Sequence, residues 1–336
     1  MEFVSELGMF FLKALVVVGS ILIIISGTIA SGVKSKGEKG ELVMTNLTKK
    51  LKDLTIDLKR DILSKKAFKD YEKSLKKEEK SDKKSQEEKS NTFFIQFKGG
   101  VEASEVASLR EEITAVLSIA TPKDEIIVSV ESGGGMVHGY GLAASQLARI
   151  RQAKIPLTIC VDKVAASGGY MMACVADKIV AAPFAIVGSI GVIAQIPNFN
   201  KVLKKYDVDF EQHTAGEYKR TLTMFGQNTD EARDKFKLEL EQTHQLFKEF
   251  VAQYRNQLDL DEVATGEHWF GQQALNLNLV DALQTSDDLL MQRSRTNQVF
   301  RIQYKPKKGW QKKLAQAASM SFEQVLQKLS TRKFYS

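Results

Sequence analysis

"EIIVSVESGGGMVHGYGLAASQLARI", residues 125–150, followed by "LTICVDKVAASGGYMMACV", residues 157–175, decides the fold class. In both stretches an apolar run of strand length leads through a turn of small residues into a helical pattern. The predicted strands are Glu125–Val130 and Leu157–Val161, and the predicted helices are Tyr140–Ile150 and Gly168–Val175. This alternation predicts an α/β domain with parallel strands. Because backbone N–H groups are free where strands end and helices begin, we expect the active site at these turns.

The same composition extends to both sides of these two units. "FFIQF" at Phe93–Phe97 predicts a strand and Glu102–Leu117 an amphipathic helix, so the folded domain is expected to occupy residues 92–304. Asp230–Leu258 has the pattern of a long helix. Its predicted apolar face consists of Phe236, Leu240, Leu246, Phe247, Phe250 and Val251. Residues 305–336 are predicted to be a basic C-terminal tail.

An uncharged stretch, residues 178–197, is long enough to suggest a membrane span. Pro183, Gly188 and Gly191 divide it into pieces of strand length. We therefore interpret it as buried core strands, and a second membrane span is the alternative.

Composition sets broad limits on function. The chain has 336 residues, 43% of them hydrophobic, which is enough for a core of ordinary size. Its two cysteines, Cys160 and Cys174, stand among apolar neighbours and are expected to be small core residues, not a disulfide framework. Much of the net charge of +7 lies in residues 34–89, so it does not indicate nucleic-acid binding.

The N-terminus has the pattern of a membrane anchor. About twenty residues from Ala14 to Val33 carry no charge, the length of one transmembrane helix. Glu2 and Glu6 precede the first base, Lys13, so residues 1–33 fit a retained anchor better than a cleaved signal peptide. A buried core helix is the alternative.

The segment after the apolar run, residues 34–91, is rich in Lys, Glu, Asp and Ser and predicts a helical stalk that passes into a disordered linker. It is either a solvated spacer or a surface that contacts anionic lipid head groups. Lys34, Lys36 and Lys39 favour a cytoplasmic catalytic domain by the positive-inside rule, although the side of the membrane stays open.

Ser167 is the candidate nucleophile. Small residues leave the backbone around it unshielded, as a serine nucleophile requires. On its own the serine is better explained as a helix N-cap, a position that serine favours. The glycine turn at the end of the preceding strand could lie beside it, which suggests an oxyanion hole built from the N–H of Gly168 and that of Gly134 or Gly135. Phosphate binding fits worse, because no dinucleotide fingerprint or Walker lysine is present.

A base to take the serine proton is harder to choose. The four histidines, His138, His213, His244 and His268, have no recognisable partner acid. A lysine can replace histidine where apolar surroundings lower its pKa. Lys219, in "HTAGEYKRTLT", stands out only mildly from its uncharged setting, so the residues alone leave this choice open.

Several long motifs resemble the signal peptide peptidase A family of serine proteases. They are "DKVAASGGYMMACVADKIVAAPFAIVGSIGV" at residues 162–192, "AGEYKRT" at 215–221, "ATGEHWFGQQAL" from residue 264 and "SLREEITAVL" at 108–117. The resemblance covers nearly the whole chain. It implies a crotonase- or ClpP-like fold, Ser167 as nucleophile, Lys219 as general base and Ser189 as the hydroxyl that hydrogen-bonds the lysine.

One departure from the family pattern affects the oxyanion hole. Gly133 stands where the family has proline, so the turn is expected to be more mobile, and the choice between Gly134 and Gly135 stays open. Trp269 is expected to be a packing residue.

The resulting expectation is a serine endopeptidase of the bacterial inner membrane that cleaves peptide or protein substrates through an acyl-enzyme. It needs no metal or cofactor, and its lipid contact is made by the N-terminal helix. Family members assemble as rings or domes, so we expect a homo-oligomer with active sites near subunit interfaces. The rival readings are a crotonase-type acyl-CoA enzyme and a non-catalytic membrane scaffold.

Overall fold

A computed structural model describes residues 40–85, 90–216 and 218–306 of the chain. The transmembrane prediction at residues 14–33 and the basic tail beyond residue 306 lie outside these ranges. Within them, no helix combines the length and apolar character needed to cross a bilayer.

The described elements alternate between strands and helices. The strands are β1 (Glu41–Asn46), β2 (Asn91–Lys98), β3 (Glu125–Glu131), β4 (Leu157–Val161), β5 (Val164–Ala166), β6 (Lys178–Ala181), β7 (Ile186–Gly188), β8 (His268–Phe270), β9 (Ala282–Leu283) and β10 (Gln298–Lys305). The helices are α1 (Leu47–Ile62), α2 (Lys65–Ser85), α3 (Val106–Leu117), α4 (Val137–Gln152), α5 (Gly168–Ala173), α6 (Asn200–Lys205), α7 (Asp230–Tyr254), α8 (Leu260–Val263), α9 (Gly271–Asn276) and α10 (Ser286–Arg293).

The main sheet has seven strands in the order β1-β10-β2-β3-β4-β6-β9. From β10 to β9 every neighbouring pair is parallel, which confirms the predicted α/β domain. A smaller sheet pairs β5 with β7 in parallel and β7 with β8 in antiparallel orientation. It lies next to the main sheet through a bridge between Ser132 and Ala165.

The central strands are apolar throughout because both faces of the sheet are covered. On one face of β3, the side chains of Ile126 and Val128 pack with helices α3, α4 and α5 in the larger of two hydrophobic clusters. On the other face Ile127 joins a smaller cluster that contains Cys160 and Leu289. Cys160 and Cys174 are both free and buried, as expected, and burial raises the pKa of each thiol.

Two boundaries and the environment of one side chain differ from the sequence expectation. Helix α3 begins at Val106, not Glu102, because Ala103 adopts a left-handed φ of 51° that a helix cannot contain. Leu246, assigned to the apolar face of α7, has 65% of its surface exposed. The sheet also begins before residue 92, since β1 forms its edge strand and Leu47 packs against the smaller cluster.

Two further predictions are confirmed in part. Within the uncharged stretch, Lys178–Ala181 and Ile186–Gly188 form β6 and β7, so the interpretation as core strands is confirmed there. Residues 193–197, which the same interpretation placed in core strands, form no strand and are exposed. The charged segment before residue 92 is largely helical, as α1 and α2.

Candidate active site

Ser167 occupies a strained turn between β5 and α5. Its φ of 51° and ψ of −118° lie in a region that non-glycine residues rarely adopt. The turn is held at both ends: the Ser167 N–H donates to the Gly188 carbonyl at 2.8 Å, and its carbonyl accepts from the Met171 N–H at 2.9 Å. A strand–serine–helix turn of this kind is the geometry of an exposed nucleophile.

The alternative role for this serine is not realised. The Ser167 side chain makes no capping hydrogen bond to α5 and is half-buried. An N-cap serine would have its oxygen turned onto the helix amides. The hydroxyl is therefore not used to begin the helix.

The two glycine turns lie side by side, as the sequence predicted. Ser132 N–H donates to the Val164 carbonyl at 2.8 Å, and Ala166 N–H donates to the Ser132 carbonyl at 3.0 Å. These bonds place Gly134, with a φ of 88°, directly against the serine turn. A Cβ on Gly134 would lie 2.7 Å from the Gly168 nitrogen, so only glycine fits there.

The backbone donors of the two turns are not equivalent. The Gly134 N–H donates to Ser132 Oγ at 3.0 Å and is therefore occupied. In the described part of the chain, the N–H groups of Gly135 and Gly168 have no acceptor. Of the two alternatives for the second oxyanion donor, Gly135 is the one that has a free N–H.

A cavity of about 890 Å³ opens over both turns and contains Ser167 and Ser189 in its wall. Much of the rest of the wall is apolar. These side chains are Val137, Met171, Val192, Ile193, Leu246, Phe247 and Phe250. Apolar walls with a few convergent polar groups are typical of a ligand site.

Ser189 also has a left-handed backbone, with a φ of 52°. Its N–H donates to the Glu267 carbonyl at 2.6 Å, and its hydroxyl donates to the Gly266 carbonyl at 3.3 Å. The preceding residue, Gly188, fits closely against the Trp269 ring, where a Cβ would lie 2.8 Å from a ring carbon. Trp269 therefore packs against the turn that carries Ser189, as expected.

His244 lines the same cavity, which sequence reasoning missed. Its Nε2 lies 3.2 Å from the Ile190 carbonyl oxygen. It is one of the four histidines for which the sequence shows no recognisable partner acid. The available signal was helix register, because His244 lies three residues before Phe247 and seven before Val251, both buried in α7.

Lys219 is not brought to the cavity within one chain. It is exposed, in a segment without regular structure, and its N–H donates to the Gly216 carbonyl at 3.2 Å. The described wall of the cavity does not include it. The structure thus gathers Ser167, Ser189 and the two glycine turns in one place, while the role of Lys219 stays a prediction.

In residues 40–85, 90–216 and 218–306, no group of three or more His, Cys, Asp or Glu side chains could hold a metal ion.

Comparison with known protein families identifies the class of protein to which this chain belongs. Residues 2–147 match the family model described as Peptidase family S49 N-terminal, and residues 149–299 match Peptidase family S49. The fold and the site fit this class, and the chain belongs to peptidase family S49.

Its relatives include proteins called SohB. The chain is 46% identical to "Probable protease SohB" of Haemophilus influenzae over 98% of this chain and 97% of that protein. It is 54% identical to the protein of the same name from Buchnera aphidicola subsp. Acyrthosiphon pisum, over 74% of each. These matches confirm the family resemblance. Among solved structures, a 1510-N membrane-bound stomatin-specific protease aligns with 16% identity and a TM-score of 0.40, covering 61% of this chain and 84% of that one.

Proposed function

We propose that the protein is a serine endopeptidase whose nucleophile is Ser167. The observation that carries this is the strained Ser167 turn lying against a second glycine turn, both open to one cavity. Catalysis needs a serine hydroxyl presented beside preorganised N–H donors, and this arrangement supplies both. The proposed fold type is crotonase- or ClpP-like.

In the proposed reaction, Ser167 Oγ attacks the peptide carbonyl carbon as a base takes its proton. The free N–H groups of Gly168 and Gly135 hold the negative oxygen of the tetrahedral intermediate. The proton then passes to the leaving amine, the C–N bond breaks, and an acyl-enzyme forms on Ser167. Water, deprotonated by the same base, releases the acid product.

Lys219 is proposed as that base, delivered by a neighbouring subunit and hydrogen-bonded there by Ser189. Its exposure and its place outside the cavity of its own chain favour this arrangement. The segment around it is also rich in exposed apolar side chains. These are Ile193, Ile196, Phe199, Val202, Tyr206, Val208, Phe210, Tyr218, Met224 and Phe225. Apolar exposure on this scale is typical of a protein interface, here between copies in a homo-oligomer.

The proposal includes attachment to the bacterial inner membrane by residues 14–33, with peptide or membrane-protein substrates. It rests on the uncharged run in the sequence. Reporter domains fused at the C-terminus, one active only in the cytoplasm and one only in the periplasm, assign the side of the catalytic domain. Full release of the protein from membranes by carbonate would contradict the anchor.

A fluorophosphonate probe tests the nucleophile on the full-length protein in detergent. We expect it to label the wild type and to fail on Ser167→Ala, with peptide cleavage lost in parallel. Ser118→Ala, at an exposed helix end, is the matched control and keeps both signals. Labelling that survives in Ser167→Ala would falsify the proposal. Hydration of an α,β-unsaturated acyl-CoA ester by that variant would favour the acyl-CoA enzyme instead.

A further inference from the structure

We infer that Tyr140 and Ser132 are positioning residues, which fix the Gly134–Gly135 turn so that its free N–H can hold the oxyanion. The inference rests on the proposed function. It adds two side chains to the site that do not touch the substrate's reacting atoms and act through the backbone of the turn.

A directional chain of hydrogen bonds joins these residues. The Tyr140 hydroxyl donates to the Gly100 carbonyl at 2.8 Å and shares a short hydrogen bond with Ser132 Oγ. Ser132 Oγ accepts the Gly134 N–H at 3.0 Å. Each hydroxyl has one proton, so the Ser132 proton goes to Tyr140 and the Tyr140 proton to Gly100. The chain therefore runs from Gly134 N–H through both hydroxyls to a carbonyl without an unused donor.

Burial makes this series of hydrogen bonds rigid. Tyr140 is fully buried and Ser132 has 2% of its surface exposed. Burial also raises the pKa of the Tyr140 hydroxyl, so it stays protonated and remains a donor. Water does not replace these partners, and hydrogen bonds in such surroundings reinforce one another.

The Tyr140 ring contacts the other half of the proposed oxyanion hole. A Cβ on Gly168 would lie 2.7 Å from Tyr140 Cδ2, so the ring lies directly on the backbone of Gly168. One side chain thus packs against the first oxyanion donor and, through Ser132, holds the turn that carries the second. Its position sets the spacing between the two donors.

The residues of the turn explain why its backbone needs the hydrogen bond to Ser132. Gly133, Gly134 and Gly135 all lack a side chain, so the backbone of the turn has few steric limits of its own. Without the Ser132 bond, the Gly133–Gly134 peptide loses its hydrogen bond, and the turn is held from the other side by the Met136 N–H, which donates to the Val101 carbonyl at 2.9 Å. The Gly135 N–H then samples orientations away from the oxyanion. Because the oxyanion exists only in the transition state and intermediates, this loss lowers kcat and leaves ground-state binding nearly unchanged.

Tyr140→Phe and Ser132→Ala test the inference. Both keep the packing and remove one hydroxyl. We expect each to lower kcat about 10- to 100-fold with KM changed less than about twofold. This is less than the roughly 100- to 1,000-fold cost of removing an oxyanion donor, because the donor is displaced and not removed. The double variant should be no slower than the slower single variant, within about twofold, because both changes break one chain.

Tyr170→Phe is the matched control. Tyr170 is equally buried, and its hydroxyl donates to the Leu279 carbonyl at 3.0 Å, away from the glycine turns. We expect it to lower the urea midpoint at least as much as Tyr140→Phe while kcat stays within about twofold. Equal kcat losses in Tyr140→Phe and Tyr170→Phe, or additive losses in the double variant, would overturn the inference.

The two proposals fail separately. Cleavage that persists in Ser167→Ala contradicts the proposed function itself. Cleavage lost in Ser167→Ala but unchanged in Tyr140→Phe and Ser132→Ala contradicts only the positioning role.

Discussion

Gly134 lies against Ser167 so closely that a Cβ on the glycine would be 2.7 Å from the Cβ of the serine. The two turns can therefore approach only while residue 134 has no side chain. Its left-handed φ of 88° adds a second reason for glycine.

Gly134→Ala is expected to lower kcat/KM by at least about 100-fold, because the added methyl group separates the nucleophile from the second turn. Peptide cleavage and fluorophosphonate labelling rates measure the effect. Gly133→Ala, in the same turn but with open space around the added methyl, should lose far less. Similar losses in the two variants would show that the turns are not in contact.

The strain at Ser167 predicts an order of stability among inactive variants. Alanine at 167 keeps the unfavourable φ of 51°, while glycine adopts it without a steric cost. We expect Ser167→Gly to unfold at higher urea concentration than Ser167→Ala, by about 1 kcal/mol in unfolding free energy. The reverse order would mean that the turn is relaxed.

Sequence reasoning was most accurate where local pattern and fold agree. The strand Leu157–Val161 was predicted to the residue, because a buried parallel strand is apolar throughout and ends at a turn. The adjacency of the Gly134 and Ser167 turns was also predicted, since parallel strands end at one edge of a sheet.

Other features depend on contacts that no local pattern encodes. The φ of 51° at Ala103 ends the helix expected from Glu102, and alanine gives no sign of a left-handed turn. β1 was read as part of a charged stalk because its partner, β10, lies at the other end of the sequence. Lys219 was singled out mainly by family resemblance, and its place outside the cavity of its own chain reflects packing that the sequence does not show.

Sharing of the active site between subunits predicts complementation. Ser167→Ala and Lys219→Ala, each inactive alone, should regain part of the wild-type activity when dissociated, mixed and reassembled. The mixed oligomer pairs an intact Ser167 of one chain with an intact Lys219 of another. Peptide cleavage at several mixing ratios measures it, and unmixed samples taken through the same steps are the control. Activity that stays at background in assembled mixed oligomers would contradict sharing.

The ion pair of Arg255 and Asp281 predicts a large effect on stability. The Arg255 side chain is only 3% exposed and binds both carboxylate oxygens of Asp281, each at 2.9 Å. Asp281→Asn leaves a buried charge without a counterion and should cost about 3 kcal/mol in urea unfolding. Asp57→Asn removes an exposed carboxylate paired with Arg60 and should cost less than about 0.5 kcal/mol. Comparable losses would mean that the Arg255 pair is solvated.

Glu112 predicts a pH dependence of stability. Burial raises its pKa from 4.5 to about 7, although its carboxylate accepts the Tyr304 N–H at 2.7 Å and lies near Arg301. The folded state therefore holds a proton that the unfolded state releases between these two pH values. Stability contributed by this group is full below about pH 4.5 and is lost as pH rises to about 7.

Glu112→Gln removes this titration and keeps an oxygen to accept the Tyr304 N–H. Its unfolding free energy relative to wild type should rise by about 2.5 kcal/mol between about pH 5 and 8. Urea unfolding at several pH values measures the difference. A constant difference would show that Glu112 ionises normally in the folded protein.

The position of β10 in the sheet sets the order in which the molecule can be completed during synthesis. β10 lies between β1 and β2, and its Gln298 pairs with Asn91. While the ribosome is still making residues 298–305, β2 has an open edge and β1 has no neighbour in the main sheet. Among the described strands of the main sheet, β1 is translated first, but it pairs only with β10, which is translated last. A nascent chain that stops before residue 298 therefore exposes an unpaired edge of β2 that is prone to association.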